Sequence, residues 1–132
     1  MKNKVILLAL AAILISGLTA YAHHSFAATY DQNKEVKIEG KIAQFLIRSP
    51  HSFVHVLAPD ETGTMQRWAI EWQGAAQLID SGVTKDTLKA GDPVIVTGNP
   101  GRDPADHRIR MKTIKRTTDG FEWGNRQGQV VE

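Results

Sequence analysis

Cysteine is absent from this chain of 132 residues. That absence removes disulfides, thiol nucleophiles, zinc–thiolate sites and iron–sulfur clusters from consideration. Net charge is nearly absent too: 16 Lys+Arg face 14 Asp+Glu. Lys2 and Lys4 supply the whole excess, because residues 1–22 contain no acid, so the rest of the chain holds 14 side chains of each sign. Such a balance lacks the electrostatic footprint of a general nucleic-acid binder or of a polybasic membrane-surface protein. No Gly-x-Ser-x-Gly, phosphate-binding loop, dinucleotide fingerprint or His-Glu-x-x-His motif is present. Ser25 follows His24, but adjacency in sequence does not give a catalytic pair its orientation. A binding role is therefore expected over an enzymatic one. Disorder is also excluded, since 42% of the residues are hydrophobic and no low-complexity run occurs.

The first 22 residues have the three parts of an export signal. Lys2 and Lys4 form a charged start, Val5 to Leu18 is an apolar run, and Ala20-Tyr21-Ala22 places small residues at the −3 and −1 positions of a peptidase site. The run is shorter than the roughly 20 residues a membrane span needs. With no cysteine for lipid attachment, the expected product is a periplasmic or secreted protein beginning at His23, free of the membrane after cleavage.

Cleavage there would leave His23-His24-Ser25-Phe26 at the terminus. An α-amine titrates near pH 8, so it sheds its proton at little cost near neutrality. His23 can then chelate a metal through its amine and its own imidazole, with His24 adding a second ring. Nitrogen-rich sets of this kind favour Cu(II), then Ni(II) or Zn(II). A frayed terminus is the plain alternative.

Beyond an arm over 23–35, in which Phe26 and Tyr30 are candidate anchors, the pattern becomes strand-like. Val36, Ile38 and Ile42 share one parity while Lys37, Glu39 and Lys41 share the other. Gly40 and the phase slip at Phe45-Leu46-Ile47 suggest a bend and a bulge. Strands are expected over 52–57, 66–72, 93–98 and 108–116, with a short final one at 121–123. Between the third and fourth, Ala75, Leu78, Ile79 and Val83 fall at helical spacing within 74–88, a short amphipathic helix whose regular part Gly82 is expected to end. Five strands with a helix in that position is the OB-fold order. The expectation is a mainly β protein, a small five-stranded OB-like antiparallel barrel over 36–123, followed by a polar tail over 124–132. An open antiparallel sheet is the alternative. The expected core includes Val54, Val56, Ile70, Val94, Val96, Ile109 and Met111. Arg108, Arg110, Lys112, Lys115 and Arg116 read as a solvated basic face protecting a sheet edge.

The candidate site follows from the remaining histidines. His51 stands at a loop-to-strand junction, where rigid elements commonly hold ligands. His55 lies four residues on, roughly 13 Å away at about 3.3 Å per residue, too far to share an ion with it. His107 follows a polar loop and reads as structural. In a hairpin of strands two and three, Glu71 falls near the start of strand two. The candidate metal set is thus His23, His24, His51 and Glu71, with copper as the candidate ion and binding expected to weaken below about pH 6 as its donors take up protons. A non-metal OB-type module for a protein, saccharide or small ligand is the alternative, and no nucleic-acid partner is expected.

Four stretches, His23-His24-Ser25-Phe26, Ser49-Pro50-His51, Trp68-Ala69-Ile70-Glu71 and Leu88-Lys89-Ala90-Gly91-Asp92, occur in the order seen in a family of small exported bacterial proteins classed as a domain of unknown function, which the chain resembles. The family pattern has Asn where this chain has Ser49. The resemblance implies export and a small β-barrel, and it implies no activity.

Overall fold

The computed structural model describes Met1 and residues 26–124. The expected export signal and the tail over 125–132 lie outside the described residues. The element order is β1 (Val36–Leu46), β2 (Phe53–Pro59), β3 (Met65–Glu71), α1 (Ala75–Asp80), β4 (Pro93–Pro100), a 3-10 turn (Pro104–Asp106), β5 (Arg108–Arg116) and β6 (Glu122–Trp123). The fold is mainly β, a closed five-stranded barrel with one short helix between strands three and four. Two strands run two residues past their expected ends: β2 continues to Pro59 and β4 to Pro100.

Strand β1 serves two partners. Its first half, Val36 to Lys41, pairs with β4, and its second half, Lys41 to Leu46, pairs with β2, with a register shift between Ile42 and Gln44. The bulge adds the local twist that lets one strand turn the corner between two neighbours. Gly40 permits the turn: a Cβ there would sit 2.1 Å from Leu57 O. Hairpin β2–β3 follows, and β3 closes on β5 through Ala69↔Arg108, Ile70↔Ile109 and Glu71↔Arg110.

That closing pair is parallel, which corrects the expectation of an all-antiparallel barrel. The reason is geometric. Strand direction cannot alternate all the way round a ring with an odd number of members, so a closed five-stranded ring holds at least one parallel pair. Nor is β5 an edge. It lies between β4 on one side and β3 and β6 on the other. Four of its cations form ion pairs: Arg108 with Glu71, Lys112 with Glu35, Lys115 with Glu122, and Arg116 with Asp92 and Asp119. The fifth, Arg110, stands over the Phe26 ring. Hydrogen bonds donated to Asp119 and Asp92 hold the Arg116 guanidinium above its ordinary pKa.

All seven expected core residues are buried, because strand alternation sends them to the barrel interior. Trp72 and Trp123 meet edge to face there, with centroids 5.1 Å apart, a favoured aromatic geometry. Helix α1 is shorter than its sequence pattern. It ends at Asp80, Leu78 alone faces the core, and Gly82 at φ +84° turns the chain so that Val83 re-enters it. Ile79, expected on the apolar face, is exposed. In six residues a helix has one inward position per turn to fill, and Leu78 takes it.

The arm is docked on the barrel. Residues 26–29 are helical, Tyr30 bridges to Gly101, and Asn99 Nδ2 donates to Lys34 O at 2.7 Å. Tyr30 is 1% exposed, so the arm contributes an anchor to the interior.

Candidate functional site

Loop 48–52 fixes the first element of the site. The buried Ser52 hydroxyl donates to Arg48 O and accepts from Arg48 N, at 3.2 and 3.1 Å. Ser52 N donates to Gln73 O and Trp72 N to Ser52 O, extending the β2–β3 ladder past its last strand pair. Gly74 approaches so closely that a Cβ would lie 2.5 Å from Pro50 O. His51 therefore rides on a loop tied at both sides.

The ladder places Glu71 opposite Phe53, which brings its carboxylate to His51. Nδ1 of His51 lies 2.6 Å from Glu71 Oε1. The other carboxylate oxygen, Oε2, accepts from the Tyr30 hydroxyl and from Arg108, whose guanidinium nitrogen is 3.3 Å away. Burial pushes the Tyr30 phenol above its ordinary pKa, and the Glu71 oxygen it faces pushes it further. Tyr30 therefore stays protonated and acts as the donor. Glu71 is 6% exposed, and three donors satisfy a buried charge that would otherwise be costly.

Two consequences follow for the candidate ligands. Both Glu71 oxygens are occupied by protein donors, so Glu71 stands behind His51 and orients it. With Nδ1 donating to a carboxylate, the lone pair of the neutral His51 ring resides on Nε2. That nitrogen meets no partner among the described residues, and the side chain is 31% exposed. A histidine whose rear nitrogen is held by a carboxylate is the arrangement that metal-binding and proton-transfer sites share. Phe26 packs on the His51 ring at a centroid distance of 5.2 Å, and Arg110 caps the other contact of Phe26 at 4.2 Å. His23 and His24 lie outside the described residues. Among the described residues no three His, Asp, Glu or Cys side chains form a metal-sized group.

The sequence pointed to His51 and Glu71 as neighbours but missed Tyr30 and Arg108. Tyr30 was legible as an anchor, and its destination was not. Arg108 reaches Glu71 across the parallel closing pair, which leaves no local pattern.

A cleft of about 300 Å³ is lined in part by Asp31, Asp60, Trp68, Pro100, Asp103 and His107, and Arg108 belongs both to its wall and to the Glu71 cluster. Trp68 is half-buried, packs against the core and also lines this cleft, donating its indole N–H to Ala58 O at 3.2 Å. His107, at φ 45°, meets Trp68 edge to face at 5.2 Å. Hydrogen bonds from Thr62 and Gln66 hold the Asp60 carboxyl down at about 2, so it is ionised throughout the neutral range.

A protein-family model described as a family of unknown function (DUF6152) matches residues 11–110. The chain belongs to that family. The match takes in the candidate site from His51 to Arg108 and leaves the end of β5 and β6 beyond it. No curated protein and no solved structure matches the chain. Among the described residues no helix is long and apolar enough to cross a membrane.

Proposed function

We propose that this is an exported, periplasmic or secreted binding protein that takes up copper, or another divalent transition metal, through His23 and His24 of its mature terminus together with His51. The observation that carries this reading is the state of His51. Its Nδ1 is tied to Glu71, its Nε2 is free of protein partners among the described residues, and Phe26 lies against its ring. Phe26 is two residues from His24 and three from His23, about 7 and 10 Å of chain at full extension. The arm's anchor thus ends within reach of the one oriented imidazole. An amine and imidazoles form a nitrogen set suited to Cu(II), and a bound ion would gain from the carboxylate behind His51. Glu71 enters as the orienting group, not as a ligand.

Titration of the processed protein with Cu(II) tests the reading. One ion per chain is expected. One residue added before His23 removes the amine chelate and weakens binding at least about tenfold, and His51→Ala does so by a similar factor. His55→Ala leaves it unchanged. Equal binding by native and extended termini, or only millimolar binding by both, would sink the proposal. A second reading, a non-metal interaction module, is favoured by the cleft beside Trp68, and it is the one that survives that result.

A further inference from the structure

On the outward surface of β1, β2 and β3, two arginines stand without a carboxylate partner among the described residues; the exposed Glu39 lies on the half of β1 that pairs with β4. Leu46↔Phe53, Gln44↔His55 and Arg67↔Leu57 are cross-strand pairs. Their side chains stand on the face opposite the buried Val54 and Val56, because strand residues alternate. Arg48 places its guanidinium 4.9 Å over the Phe53 ring. Arg67 starts on β3 and reaches across β2 to Gln44 Oε1 on β1, at 3.1 Å. Both arginines are exposed, and neither meets a carboxylate among the described residues. They differ in this from Arg108 and Arg116, which are paired with acids. Glu71, the acid opposite Phe53, is taken up by His51, Tyr30 and Arg108. His55 neighbours both anchors: its ring is stacked toward Phe53, which carries Arg48, with centroids 6.5 Å apart, and it pairs across the strands with Gln44, which holds Arg67. Burial lowers its pKa, and the charges of Arg67 and Arg48 lower it further, so both guanidinium fields reach the ring.

We propose that Arg48, Arg67 and His55 form a binding site for an oxyanion, a phosphate group above all, seated over β2 between the two guanidinium groups. Each guanidinium is a planar fork of donors suited to phosphate oxygens. One is held on an aromatic face and the other on an amide oxygen, so little freedom is lost when the anion arrives. Two forks, one from the loop before β2 and one from β3, suit a tetrahedral group with oxygens on several sides, whereas a carboxylate is filled by one fork. The uncharged His55 ring adds one further hydrogen bond. This site is separate from the metal reading and stands whether or not copper binds.

The phosphate has two sources, a soluble ligand or a lipid headgroup, and the test separates them. The backbone amide spectrum of the protein is titrated with inorganic phosphate, and the protein is sedimented with phosphatidylglycerol vesicles against phosphatidylcholine vesicles. Saturable shifts at Phe53, His55 and Arg67, with a dissociation constant on the order of a millimolar, are expected for a soluble source. Retention by phosphatidylglycerol vesicles alone assigns the headgroup. In either case Arg48→Gln and Arg67→Gln each weaken the response at least about tenfold, while Lys112→Gln on β5 leaves it unchanged. Both arginines are exposed, so these variants keep the native spectrum elsewhere. No saturable response to either probe, or the same response in both arginine variants, would overturn the proposal.

Discussion

Replacing Glu71 by Ala is expected to destabilise the protein by about 3 kcal/mol, the lower end of the range for removing one partner of a buried ion pair. The carboxylate accepts from His51, Tyr30 and Arg108 together. Its loss leaves the Tyr30 hydroxyl buried without an acceptor and the Arg108 guanidinium without its counter-charge. Arg108 and His51 are both about a third exposed, so water recovers part of the loss, which is why the lower end applies. Glu71→Gln keeps one acceptor oxygen and should cost less. Urea unfolding reads both values from the shift in midpoint at constant slope. A Glu71→Ala midpoint matching the parent protein would show that the three donors find other partners.

The second large effect is at Gly40. Gly40→Ala is expected to cost roughly 3 kcal/mol, the upper end of what overpacking does. The new Cβ would lie 2.1 Å from Leu57 O and 2.8 Å from the Ala58 Cβ. Backbone cannot swing aside as a side chain can, so β1 and β2 must part where β1 changes partner. Gly63 supplies the contrast. It sits at φ +84° with nothing near its missing Cβ, so Gly63→Ala pays only the left-handed backbone penalty of about 1 kcal/mol. Thermal unfolding of the two variants should rank them in that order. A reversed ranking would mean that strand crossing at Gly40 is looser than the geometry indicates.

Most of the barrel was legible because period-2 alternation is a local signal. Val54 and Val56, or Ile109 and Met111, declare their inward side from neighbours two residues away. The parallel closure by Ala69, Ile70 and Glu71 against Arg108, Ile109 and Arg110 is not local and left no trace in any window. The helix stop, a local signal, was legible: Gly82 marks the end of the regular part, and the helix ends at Asp80 just before it; what the spacing misjudged was Ile79, which is exposed. At the site, His51 and Glu71 could be placed by counting along one hairpin. Tyr30 and Arg108 arrive from the arm and from the last long strand, and their side chains offered only a polar lead-in and a basic stripe.

The parallel pair also makes the site depend on distant chain. Hairpin β2–β3 can form from neighbouring chain, but the helix and β4 intervene between β3 and β5, and Tyr30 reaches Glu71 across a separation of 41 residues. Long-range pairing of this kind pays its loop-closure entropy before contacts repay it. The full set of donors on Glu71 behind His51 is therefore complete only in the closed barrel, since Tyr30 and Arg108 come from the arm and β5. A ligand that needs it binds the completed barrel alone, and by mass action its affinity is added to the barrel's stability.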